Sequence, residues 1–120
     1  MSGSVLVIED DEDIVDNVRA VLEGEGYQVL SAANGRLGLD TLASKQLPAV
    51  ILLDLMMPVM TGFEFRDAQQ ADPRIAGVPV VLMTADGHLS EKTARLGAAA
   101  ALAKPFDIVS LLSVVARFAG

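Results

Sequence analysis

Five times along this chain a short apolar run rich in β-formers is followed by a longer stretch of helical period, and that alternation constrains the fold most. The apolar runs lie at residues 5–8, 27–30, 49–53, 78–83 and 98–103. Most are continuously apolar, which implies burial on both faces, as in a parallel sheet covered by helices. The run at 27–30 is mixed and suits an edge strand, while 98–103 is assigned as strand from the alternation alone, because alanine favours helix. Helix signals fill the gaps. Asp11 caps a first helix with Ile14, Val18, Val21 and Leu22 on one face, and Asn34 caps a second containing Leu39 and Leu42. Thr61 and Glu64 form a capping box for a third that closes at Pro73. Ser90 is the expected cap of a short fourth that ends before Gly97, and a fifth follows Pro105. The class is α/β, and 120 residues make one domain spanning 1–120.

In such a sheet, ligands bind outside the carboxyl ends of the strands, so the polar residues that terminate the apolar runs belong together. The first run ends in Glu9, Asp10 and Asp11, the third in Asp54, the fourth in Thr84 and the fifth in Lys104. If the first and third strands are neighbours, Asp54 crowds Glu9 and Asp10, and the mutual repulsion calls for a cation. An all-oxygen carboxylate set suits Mg²⁺, which keeps waters and leaves room for a phosphoryl oxygen. Lys104 adds a fixed positive charge, and Thr84 adds a hydroxyl for an anion. A carboxylate can itself attack phosphorus to give an acyl phosphate, and Asp54, alone at the end of a central strand, is the candidate nucleophile. Unpartnered, a carboxylate there is costly, so Asp54 is paired with Lys104, functional, or both. Asp11, Glu12 and Asp13 read as helix-start acids that complement the dipole, and His88, the single histidine, as a solvated loop residue.

Composition removes other functions. A net charge of −7 with pI ≈ 4.4 argues against direct nucleic-acid binding. Zero cysteines exclude disulfides, thiolate metal sites and cysteine nucleophiles. The apolar runs are too short to span a bilayer, and the opening MSGS lacks the basic and apolar regions of a secretion signal, so a cytoplasmic location is expected.

The segments VLVIEDDEDI, ILLDLMMPVMTGFEF, VPVVLMTA and LAKPF, in this order and spacing, resemble the receiver domain of bacterial two-component response regulators. The likeness covers essentially the whole chain. Its most specific piece is D-x-x-M-P-x-M-x-G from Asp54 to Gly62. The resemblance implies a flavodoxin-like (βα)5 three-layer sandwich with a parallel five-stranded sheet in the order 2-1-3-4-5. It makes Asp54 the phosphoacceptor, Asp10 the direct Mg²⁺ ligand, Glu9 its partner through water, and Met56 a ligand through its backbone carbonyl. Thr84 becomes the switch hydroxyl, Lys104 the phosphoryl-pairing lysine, and the Lys104–Pro105 bond cis. The implied partners are a sensor histidine kinase or phosphotransfer protein and a downstream effector. The implied function is a phosphoacceptor switch that catalyses only its own phosphorylation and dephosphorylation. A degenerate receiver used for docking is the alternative, and a Mg²⁺-dependent aspartyl phosphohydrolase is a weaker one, since Met56 stands where such enzymes carry a second Asp.

Several positions depart from the family pattern. Ala101 stands where an aromatic is usual, so a signal must leave by backbone or helix movement. The stretch from Thr84 to Gly97 is slightly short. Arg66 occupies a position where a core-facing leucine is common, and either snorkels or pairs with an acid. Met56 cannot orient a water, which implies slow self-dephosphorylation, whereas Asp86 could hold one. In the last helix Ile108, Leu111, Leu112, Val115 and Phe118 make a full stripe. Val109 and Val114 widen it, which implies either cover by another chain, as in a homodimer, or a broad stripe buried within the domain.

Overall fold

The computed structural model describes residues 3–44, 46–85 and 88–120. Five strands alternate with five helices: β1 (Ser4–Ile8), α1 (Glu12–Gly24), β2 (Gln28–Ala32), α2 (Gly35–Ser44), β3 (Val50–Asp54), α3 (Gly62–Ala71), β4 (Val80–Thr84), α4 (Leu89–Leu96), β5 (Ala100–Ala103) and α5 (Ile108–Ala119). The strands are parallel in the order β2-β1-β3-β4-β5, with the mixed β2 at an edge as its sequence implies.

The period of two along each strand explains why the runs are apolar throughout. Val5 and Val7 of β1 face one layer with Val50 and Leu52 of β3, packed against Val18 and Leu22 of α1 and Leu111 and Val115 of α5. Leu6, Ile8, Ile51 and Leu53 face the other layer, with Leu42 of α2, Phe65 of α3 and Leu96 of α4. β4 begins at Val80, after Pro79, which has no N–H to give a ladder; the Pro79 carbonyl still accepts from Ile51. β5 is a strand despite its alanines because Ala100 to Ala103 pair in register with Val81 to Thr84.

The helix starts follow their caps. Asp11 accepts from the N–H groups of Asp13 and Ile14, and Asn34 from that of Leu37. Thr61 and Glu64 exchange the reciprocal bonds of the capping box. Ser90 is not the cap of α4. The helix starts two residues earlier than that cap implies, at Leu89, with His88 in the cap position at φ 63° and its side chain making no capping bond. Gly97 ends α4 in the left-handed region, as glycine there predicts.

On α5 one of the two readings of the wide stripe holds, and two expectations, for Ile108 and Arg66, are corrected. Val114 is buried in the core between α5 and the sheet, so its apolar character is answered within the domain. Ile108, expected in the stripe, is exposed together with Val109, because it borders an open hollow of about 360 Å³ against α1 instead of packing into the core. Arg66 neither snorkels nor meets an acid. It is buried on α3 and donates to the carbonyls of Leu96 and Gly97 and to Gln69, and burial holds its guanidinium below the usual range. At the opposite end of the sheet from these strand termini, the Gly3 N–H donates to the Ala119 carbonyl at 2.8 Å, joining the start of β1 to the end of α5.

Candidate functional site

Parallel pairing brings the carboxyl ends of four adjacent strands to one edge. Ile8 registers with Leu53, Asp54 with Met83 and Thr84 with Ala103, so the residues that end or follow these strands become neighbours. Glu9, Asp10, Asp54, Met56, Thr84 and Lys104 all line one hollow of about 280 Å³, completed by Asp11, Ile14 and Ala85. The last two are contributors the sequence reasoning missed, since neither residue type signals chemistry. Glu9, Asp10, Asp54, Met56, Thr84 and Lys104 are the residues that the sequence assigned to the cation and the phosphoryl group.

Glu9 and Asp54 are buried, at 2% and 4% exposure, and Thr84 is buried beside them, while Asp10 is exposed at the mouth. One carboxylate oxygen from each of Glu9, Asp10 and Asp54 lies within 4.8 Å of the others. That all-oxygen set fits a hard dication such as Mg²⁺, which typically takes one or two carboxylates and completes its shell with water. Lys104 reaches in from the residue after β5. Its ammonium donates to Glu9 Oε1 at 2.5 Å and lies 3.5 Å from Asp54 Oδ1. Its nearer partner is therefore Glu9, and it touches both buried acids at once. The Lys104–Pro105 bond is cis.

Charge follows from these distances. Burial pushes the Glu9 carboxyl up to about 7, and the Asp54 charge adds to that, against the opposing bonds from Lys104 and from the Asp11 N–H at 3.1 Å. Burial works against the Lys104 ammonium, but Glu9 and Asp54 outweigh it and hold the group above its usual range. Three carboxylates thus face one ammonium, and the deficit of positive charge is what a bound cation would supply.

The loop after β3 holds Asp54 in place. The Met56 N–H donates to Asp54 Oδ1 at 3.3 Å, leaving the Met56 side chain exposed. Gly62 packs under the end of the strand: a Cβ there would lie 2.5 Å from the Asp54 carbonyl oxygen and 2.7 Å from Leu55 Cα, so only glycine fits without displacing the backbone at Asp54 and Leu55. Between them, the Met60 N–H donates to the Pro58 carbonyl at 2.7 Å, which puts Val59 at the apex of a tight turn with φ 70°. A β-branched residue is strained in that region. Val59 is 81% exposed. Asp86, weighed as a water-holding residue, lies outside the described residues. Ala101 is half-buried and borders a hollow of about 600 Å³ between α4 and β5.

A family model described as the response regulator receiver domain matches residues 5–116. The DNA-binding dual master transcriptional regulator RpaA of Synechocystis is 39% identical over 113 residues, covering 92% of this chain and 46% of that protein. The chain therefore spans about half the length of this relative. Among solved structures, the chemotaxis response regulator CheY4 of Vibrio cholerae matches with TM-score 0.88 at 34% identity, covering 98% of this chain and 99% of that one. The receiver domain of the sensor histidine kinase PA1611 from Pseudomonas aeruginosa, solved with a magnesium ion coordinated in its active site cleft, matches with TM-score 0.87 at 26% identity over 98% of each chain. On the family match, the fold and the relatives together, the chain belongs to the receiver domains of two-component response regulators, which are phosphoacceptor signalling switches.

Proposed function

We propose that Asp54 is the phosphoacceptor of this receiver and that a histidine kinase or a phosphotransfer protein is its donor. The observation that carries this reading is the buried Asp54 carboxylate opening into a hollow shared with Glu9, Asp10, Thr84 and Lys104. An Asp54 carboxylate oxygen attacks phosphorus in line, the phosphorus–nitrogen bond to the donor imidazole breaks, and the imidazole departs with the electron pair. Lys104 is placed to neutralise charge on the transferred group, and the Thr84 hydroxyl to donate to one of its oxygens. Mg²⁺ would be held by Asp10, Asp54, the Met56 carbonyl and, through water, Glu9, where it supplies further neutralisation of the phosphoryl oxygens.

Receiver domains interact with histidine kinases, phosphotransfer proteins and effectors. For this chain an effector of unspecified identity reads the modified surface, and Ile108 and Val109 are large apolar side chains of α5 exposed to a second chain. Residues 1–120 act as one receiver unit, in the cytoplasm; no helix among the described residues is long and apolar enough to cross a membrane. The exposed thioether of Met56 offers no hydrogen bond to orient a water, so the acyl phosphate is long-lived. The test is incubation with Mg²⁺ and acetyl phosphate followed by intact mass. The unmodified sequence gains one phosphoryl group and Asp54→Asn gains none. Equal gain by both would overturn the assignment.

A further inference from the structure

The chain has no cysteine, so the thioethers of its methionines are its oxidisable sulfurs. Among the described residues, Met57, Met60 and Met83 are shielded. Met83 is fully buried in β4, and Met57 is buried in the layer of the core that holds Leu42 and Phe65. The half-buried Met60 lays its sulfur over Gly35, where a Cβ would lie 3.0 Å away. Met56 is the exception, at 69% exposure. An oxidant dissolved in water therefore meets the Met56 sulfur before those of Met57, Met60 and Met83.

Met56 also stands where an oxidised sulfur has consequences. Its N–H donates to Asp54 Oδ1 at 3.3 Å, which ties its backbone to that carboxylate. Its side chain lines the hollow that holds Asp54, Thr84 and Lys104. A thioether is a weak acceptor and leaves water beside it unoriented. Oxidation to the sulfoxide converts the same side chain into a polar one whose oxygen accepts a hydrogen bond. The modification therefore adds, at the edge of the phosphoryl site, the acceptor that the unmodified residue lacks.

We propose that Met56 is a reversible oxidation site through which peroxide shortens the life of the acyl phosphate. This rests on Asp54 being the phosphoacceptor. In the first step the Met56 sulfur attacks one oxygen of hydrogen peroxide: a sulfur–oxygen bond forms, the oxygen–oxygen bond breaks, the thioether is oxidised and the peroxide is reduced to water. In the second, the sulfoxide oxygen accepts a hydrogen bond from a water that attacks phosphorus in line. The bond between phosphorus and the Asp54 oxygen breaks, the electron pair returns to the carboxylate, and the proton lost by the water leaves on inorganic phosphate. The sulfoxide is too weak a base to take that proton, so oxidised Met56 is a positioning residue. Enzymatic reduction of the sulfoxide returns the thioether and with it the longer lifetime.

The test treats the whole chain with dilute hydrogen peroxide, which catalase then removes. Peptide mass spectrometry is expected to find the added oxygen on Met56 ahead of Met57, Met60 and Met83. Treated and untreated chains are next phosphorylated with Mg²⁺ and acetyl phosphate, the donor is removed, and loss of the phosphoryl group is followed by intact mass. The loss is expected to be about threefold or more faster in the oxidised chain. Methionine sulfoxide reductases A and B, which act on the two sulfoxide epimers, bring the slower loss back. Met56→Leu, compared with itself before and after peroxide, shows one rate. Uptake of oxygen at a buried methionine ahead of Met56, an unchanged rate in the chain oxidised at Met56, a fast loss that survives the reductases, or an acceleration that persists in Met56→Leu overturns the proposal. If the untreated chain takes up no phosphoryl group, the phosphoacceptor reading falls and the lifetime effect with it, while the site of oxygen uptake is still decided by peptide mass without the donor.

Discussion

Replacing Lys104 by methionine removes one ammonium from a site where it sits 2.5 Å from Glu9 and 3.5 Å from Asp54, both buried. Methionine keeps most of the stem, so packing changes little and the cost is electrostatic. Leaving buried charge without its partner typically costs about 3–5 kcal/mol, and the lower figure applies here because Asp10 and the mouth of the hollow remain hydrated. The cost depends on pH in a definite direction. The Glu9 carboxyl is raised to about 7 in the folded chain, above its ordinary 4.5, so its contribution to stability is fully present below about 4.5 and is lost as pH rises to about 7. Without the ammonium the folded value rises further, so the same loss continues to higher pH. The Glu9 part of the gap between the two proteins therefore opens above about pH 7.

Urea unfolding gives the measurement. At about pH 8.5 Lys104→Met is expected to be about 3 kcal/mol less stable, and at about pH 5.5 the gap shrinks by half or more. Excess Mg²⁺ narrows the gap at high pH, because without the competing ammonium the variant binds the dication more tightly and is stabilised more by mass action. A gap that is the same at both pH values, or below about 1 kcal/mol at the higher one, would refute the reasoning that Lys104 is the counter-charge of the two buried acids.

Three other outcomes follow from the same geometry. Met56→Asn places an amide beside Asp54 that can orient water, and the phosphoryl lifetime, followed by mass after donor removal, shortens severalfold; an equal or longer lifetime refutes the role given to Met56. Val59→Gly relieves a left-handed β-branched residue, a strain of about 1–2 kcal/mol partly offset by the entropy of glycine, so the melting temperature rises by a few degrees and does not fall. Mg²⁺ affinity, measured by titration calorimetry, increases with pH until Glu9 is deprotonated near 7 and then levels off, whereas an affinity independent of pH between about 5.5 and 8 would exclude Glu9 from the cation's surroundings.

The acidic hollow was legible because each of its polar residues terminates an apolar run, and a parallel sheet collects such termini at one edge. Strand order then supplied the proximity of Asp54 to Glu9 and Asp10. What sequence could not specify was the closest partner of Lys104. Glu9, Asp10 and Asp54 are equivalent by residue type, and only backbone geometry puts the ammonium nearest to Glu9. Arg66 was illegible for a related reason: its partners are carbonyls thirty or so residues away, and every residue type has a carbonyl. Only the pair of polar residues three apart on an inward helix face hinted at it. On α5, periodicity fixed the phase of the apolar stripe but not its width, which depends on the core that covers the Val114 flank. His88, not Ser90, stands before α4, in the left-handed region and with no side-chain capping bond, so side-chain capping preference does not decide where this helix begins.

The bond from the Gly3 N–H to the Ala119 carbonyl holds the residue before β1 beside the end of α5, at the end of the sheet facing away from the acidic hollow. A segment joined to Gly3 or to Ala119 therefore departs from the side of the sheet away from the acidic hollow. A few linking residues would join Gly3 to Ala119, so a circular permutant of this unit opened at an exposed turn should retain the architecture.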